Sequence, residues 1–162
     1  MVMNMSTSSW ETWFRTAKEH LDIAERAFIS CLNEVAYEKA IYSGECALKA
    51  VLVKNGVFTK EYWTHDHGKI LDKIKELGLL SPQVLAQVED IVTDRDGVVG
   101  LGWVDLGGKN PSEDIPHMDC AHIERARYPE KEYSSYDMLK LGDAELKIKL
   151  AKKLIKALEN NF

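Results

Sequence analysis

The chain lacks any apolar run long enough to cross a bilayer, and its first ten residues, MVMNMSTSSW, have neither the basic start nor the apolar centre of a secretory signal. The expectation is a cytoplasmic protein with no membrane attachment. Cysteine is scarce. Cys31, Cys46 and Cys120 cannot all pair within one chain, and two of them sit in helical patterns, which fits a reducing compartment. Excess positive charge is missing too: the formal net charge of -5 argues against a broad electrostatic footprint on nucleic acid, although a local basic patch would suffice for RNA. No internal repeat, low-complexity tract or second domain is visible. What the chain does have is 162 residues with 45% apolar content, enough for one core without disulfide or metal. Residues 1–9 read as a loose leader and 10–162 as a single domain.

Asn33 to Gly56 is the longest apolar-periodic stretch with credible ends. Ala36, Ala40, Ile41, Ala47, Leu48, Val51 and Leu52 recur at helical spacing as one buried stripe, which leaves Lys39, Glu45, Lys49 and Lys54 mostly off it. Asn33 is the expected cap, and Asn55-Gly56 supplies the left-handed stop. Ala36, Ala40, Gly44 and Ala47 lie near one face and admit a close neighbour. A preceding helix is expected from about Ser9 or Glu11 to Cys31, burying Trp13, Phe14, Ala17, Leu21, Ala24, Phe28 and Cys31. The short junction at Leu32-Asn33 makes the two helices antiparallel neighbours. A third helix is expected from a Thr64 cap through Ile70, Leu71, Ile74 and Leu77 to Gly78. Ser81-Pro82 opens a fourth, carrying Val84, Leu85, Val88, Ile91 and Val92. The last helix should start near Asp143 and bury Leu146, Leu150, Ala151, Leu154, Ile155 and Leu158. Its outer face would be Lys147, Lys149, Lys152, Lys153 and Lys156. Between Thr93 and about Tyr133 helical periodicity fails and glycines gather. So long a loop is uncommon unless it is functional, locally ordered by Trp103 and Ile115, or disordered. The fold class expected is all-α, an antiparallel up-and-down bundle of about five helices with a long loop before the last.

Tyr37, Ala40, Tyr42, Glu45, Ala47, Leu48, Lys49, Ala50 and Leu52, followed by Thr64-His65-Asp66 and then Arg127-Tyr128-Pro129, resemble the HEPN family, the higher-eukaryote and prokaryote nucleotide-binding domains. The resemblance runs from about residue 12 to 158, with a gap between about Thr93 and Ala121. It implies a helical bundle, usually homodimeric. It also implies nucleotide binding, RNA cleavage, or service beside a minimal nucleotidyltransferase on a separate chain, as in toxin and antitoxin pairs. In the family's ribonuclease branch an Arg and a His four to six residues apart stand near the start of the last long helix, one to stabilise phosphate charge and one to move protons. After Arg125 and Arg127 no His follows at that spacing. The position six beyond Arg127 is Tyr133, so intrinsic ribonuclease activity is not expected and no catalytic residue is assigned.

Arg125 and Arg127, with Tyr128 and Tyr133, are the candidate phosphate or nucleotide contacts, because a guanidinium fork suits phosphate better than a scattered lysine does. The competing reading pairs these arginines with Glu124, Glu130 or Asp94 to pin the loop to the bundle. Arg15 and His20 satisfy the Arg–His spacing in the first helix, where chance on a polar flank explains them. His65 and His67, or His117, Cys120 and His122, resemble a zinc ligand set without a zinc spacing, and the first pair would diverge on a helix. Thr64 and Asp66 capping a helix start explain that cluster better, so neither metal nor cofactor is expected. His65-Asp66 also resembles the His-Asp pair of metal-dependent phosphohydrolases, though no convincing partners accompany it. Gly97, Gly100 and Gly102 lack the ending of a phosphate-binding loop. Trp10 and Trp103 are candidates for stacking on a base or packing on a partner.

Overall fold

The computed structural model describes residues 8–93, 100–101 and 141–162, the first three residues of the last segment by backbone alone. Five α-helices and one short 3-10 turn are present among the described residues, with no strand: α1 (Trp10–Ile29), α2 (Asn33–Lys54), the 3-10 turn Lys60–Tyr62, α3 (His67–Glu76), α4 (Pro82–Val92) and α5 (Leu141–Glu159). The all-α bundle is as expected.

Helix ends follow from local chemistry. Ser9 Oγ accepts the Thr12 amide at the start of α1, and Ser81 Oγ accepts the Val84 amide with Pro82 at the first helical position of α4. Gly56 and Gly78 take the left-handed conformation just past α2 and α3, at φ 70° and 62°. Two expected caps fall elsewhere. Asn33 is buried inside α2 and Leu32 occupies the cap with no side-chain bond, while α3 is capped by Asp66, whose Oδ1 accepts the Lys69 amide. Thr64 serves two residues earlier, where its hydroxyl accepts the Asp66 amide.

Helices α1 and α2 run antiparallel, as the sequential pairing of Lys54 over Trp10, Lys49 over Trp13 and Ser43 against Ala17 shows. The Ser43 hydroxyl donates to the Ala17 carbonyl at 2.7 Å, a bond only a small residue at close helix approach allows. Helix α5 lies antiparallel to α1, tied by Lys152 to Glu25 at 3.4 Å and by Lys18 to Glu159. Its far end is covered by a stack of Trp10, Phe14 and Phe162.

The stripe predicted for α2 was too narrow. Packed by α1, α3 and α5, that helix is buried continuously from Ser43 to Val53, Glu45 and Lys49 included. Two expectations for α5 also need correction. Leu146 is 37% exposed, and Lys147, assigned to the outer face, is only 1% exposed. Lys147 turns inward because its ammonium donates to the Gly100 carbonyl at 2.5 Å and lies 5.7 Å from the Tyr37 ring. Cys31 is likewise not buried: it follows the end of α1 at φ 61° and is exposed.

Gly100 and Leu101 form a plug in the bundle. The Leu101 amide donates to the Ile91 carbonyl at 2.8 Å, and its side chain is fully buried against Gly44. A Cβ on Gly44 would stand 2.4 Å from Leu101 Cδ2, so the missing side chain is what admits the plug.

Candidate functional site

Spacing on two helices builds a groove. Lys39, Tyr42, Cys46 and Lys49 recur at three and four residues along one face of α2, and Trp13 and His20, seven apart, share a face of α1. The segment Trp63 to His65, held by the caps of α3, closes the third side. These residues line a cavity of about 350 Å³ with Glu45 in its wall. That volume lies at the small end of the range usual for ligand pockets.

Charge in the wall is organised around Glu45. Its Oε1 accepts from Lys49 Nζ at 2.6 Å and its Oε2 from His65 Nδ1 at 2.9 Å, while Glu45 and Lys49 are only 5% and 3% exposed. Burial works to raise the Glu45 carboxyl, but the His65 hydrogen bond and the Lys49 charge outweigh it and hold the group below the ordinary carboxylate range. A carboxylate accepts only, so His65 carries its proton on Nδ1 and leaves Nε2 on the side away from Glu45. Lys49 Nζ lies 5.9 Å from the centroids of both Trp13 and Trp63, whose rings meet edge to face at 6.3 Å. One end of the groove is thus an aromatic corner over a buried cation.

The other end is formed by His20 and Lys39 beside Tyr42. The His20 and Tyr42 ring centroids are 6.0 Å apart, those of Tyr42 and His65 5.6 Å, and Lys39 Nζ is 5.7 Å from the Tyr42 ring. His20 Nδ1 is buried with no hydrogen-bond partner among the described residues. Burial, and after it the Lys39 ammonium, hold His20 below the usual histidine range. Cys46 offers no nucleophile at neutral pH, since burial pushes its thiol up to about 12.

His67 belongs to the scaffold behind the groove. Its ring is buried, with Nε2 at 3.0 Å from the Ile41 carbonyl and Nδ1 at 3.2 Å from that of His65. Burial holds it below the ordinary range, so the neutral ring donates to one carbonyl, the nearer Ile41, and braces the turn that carries His65. With both ring nitrogens turned to carbonyls, His67 cannot join His65 on one ion. No group of three potential metal ligands occurs among the described residues.

Arg125, Arg127, Tyr128 and Tyr133 lie outside the described residues, as do Trp103, Gly97, Gly102 and the His117, Cys120 and His122 cluster. Arg15 and His20, which match the Arg–His spacing, do not converge: the Arg15 side chain is 70% exposed and within 4.0 Å of Glu19, whereas His20 turns into the groove. Sequence reasoning passed over the groove itself. Its one available signal was Glu45 and Lys49, a charged pair four residues apart inside the most apolar helix. Trp10 packs on Phe162 and Lys54 rather than facing this site.

No helix among the described residues is long and apolar enough to cross a membrane. A family model described as the HEPN domain matches residues 10–95, which covers α1 through α4 and every residue lining the groove. No curated protein and no solved structure matches the chain.

Proposed function

The chain belongs to the HEPN domain family, and from that premise we propose that it is a nucleotide-binding module whose site is the groove between α1, α2 and the turn before α3. The observation that carries this reading is the pairing of a tryptophan corner with lysine and histidine side chains inside a cavity of about 350 Å³. Indole faces suit a base, ammonium and imidazole groups suit phosphate, and the volume suits one nucleotide. Arg125, Arg127, Tyr128 and Tyr133 belong to the proposal as further phosphate contacts.

Ribonuclease activity stays outside this reading. The family's late Arg–His pair is unmatched after Arg125 and Arg127, and the pair at Arg15 and His20 diverges. Homodimer formation, or assembly with a separate nucleotidyltransferase chain, is proposed alongside, and light scattering of the purified chain reads the first directly. The test of binding is a thermal-shift titration with ATP, GTP, CTP, UTP and a short RNA, run on the wild type and on Trp63→Ala. Saturating ligand at a hundred times its dissociation constant adds about 2.7 kcal/mol, which moves the midpoint by several degrees. A shift lost in Trp63→Ala supports the groove. No shift with any ligand removes the reading.

A further inference from the structure

The groove is polar in a graded way along its length. Trp13 and His20 stand seven residues apart on one face of α1, about 10 Å at the helical rise. Because α2 runs antiparallel, Lys49 meets the Trp13 end and Lys39 meets the His20 end. That separation is close to the reach of a nucleotide from its base to its phosphate.

The charges at the two ends differ in how they are satisfied. At the tryptophan end Lys49 is matched by Glu45, and both oxygens of that carboxylate are committed, one to Lys49 and one to His65. At the other end Lys39 has no carboxylate within salt-bridge distance among the described residues, and His20 Nδ1 is buried without a partner. Two groups able to carry positive charge therefore line the same end of the groove, and neither is in an ion pair among the described residues.

We propose that the His20 and Lys39 end of the groove seats the phosphate of a nucleoside monophosphate as a dianion, and that His20 takes up a proton as the ligand binds. The proposal rests on the nucleotide reading above and specifies which nucleotide class the site prefers. The His20 ring is neutral near pH 7, because burial and then Lys39 disfavour its charged form. A dianion facing both groups reverses that balance. The ionisable groups around His20 are Lys39, Glu38, Tyr42 and Glu45 from α2, Glu19 from its own helix, and His65 across Tyr42 from the turn before α3. Glu19, Glu38 and Glu45 each pull toward protonation, yet burial and Lys39 prevail until an anion arrives.

Calorimetric titration of the full chain with each of the four nucleosides and their 5'-monophosphates tests this, at pH 6.5 and 8.0 and in two buffers of different ionisation heat. The phosphate's second ionisation lies near pH 6, so the ligand is mostly a dianion across that range. The expected result is at least tenfold tighter binding of a monophosphate than of its nucleoside at pH 6.5. Proton uptake should approach one, with affinity falling up to tenfold per pH unit toward pH 8. His20→Gln should abolish the uptake and flatten the pH profile, and Lys39→Met should weaken the monophosphate. Equal affinity for nucleoside and monophosphate, or binding of the monophosphate without proton uptake by the wild type, would overturn the inference and leave nucleotide binding standing. No binding by any of the eight compounds overturns the inference, and the nucleotide reading falls with it only if the triphosphates and the short RNA also give no thermal shift.

Discussion

Replacing Lys49 by Met removes one charge of a pair buried in the middle of α2 while keeping an unbranched apolar stem of similar length. The Glu45 carboxylate, 5% exposed, would then retain only His65 as a partner. Breaking a buried pair from one side costs about 3–5 kcal/mol, because the remaining charge is left in a medium that solvates it poorly. Against a total stability of roughly 5–15 kcal/mol for a domain, that is a large fraction. At a urea dependence of roughly 2 kcal/mol per molar the unfolding midpoint drops by about 2 M. The double variant Glu45→Gln with Lys49→Met removes both charges and keeps an amide oxygen for the His65 N–H, so it should lie within about 1 kcal/mol of the wild type. Urea melts of the two single variants and the double, followed by circular dichroism at pH 7.5, give the coupling. A cost below about 1 kcal/mol for Lys49→Met, or a double variant that loses the sum of the singles, would refute the burial argument.

Acid should destabilise the fold in two stages. His20 and His67 are held below their unfolded value of 6.5, so the unfolded chain binds more protons as pH drops through 6.5, and stability present above that value is lost toward the folded values. Glu45, depressed from 4.5, contributes stability above that pH that is lost as pH falls through its folded value. Denaturant midpoints that do not fall between pH 8 and pH 5 would contradict the first stage. Gly44→Ala places a methyl 2.4 Å from Leu101 Cδ2 and 3.3 Å from His67 Nε2, and overpacking of this kind costs about 1–3 kcal/mol. The double variant with Leu101→Ala should recover part of that loss, and simple additivity in the melts would show that the plug is not the cause.

The helices and four of their ends were legible because these depend on neighbours in sequence: Ser9, Ser81-Pro82, Gly56 and Gly78 act within one turn of where they stand. The groove was not, because its logic is long-range. Periodicity assigns one face to the core, so it put Glu45 and Lys49 outside. They are inside because α2 is packed by three helices and because His65, twenty residues away, satisfies the second carboxylate oxygen. Lys147 escaped for the same reason, since its acceptor, the Gly100 carbonyl, is 47 residues distant. Cap choice failed more locally. Asp66 outcompeted Thr64 by two positions, and Asn33 was drawn into the bundle, where its Oδ1 is buried without a partner among the described residues.

That the groove at Glu45 is the nucleotide site is tested most directly by nuclear magnetic resonance of the chain labelled in its tryptophan and histidine rings, titrated with the nucleotide that gives the largest thermal shift. Saturable movement of the Trp13, Trp63, His20 and His65 ring signals is expected, with Trp10, stacked on Phe162 at the far end of α1, unmoved. Movement confined to Trp10, or binding that leaves the four groove rings in place, would contradict it.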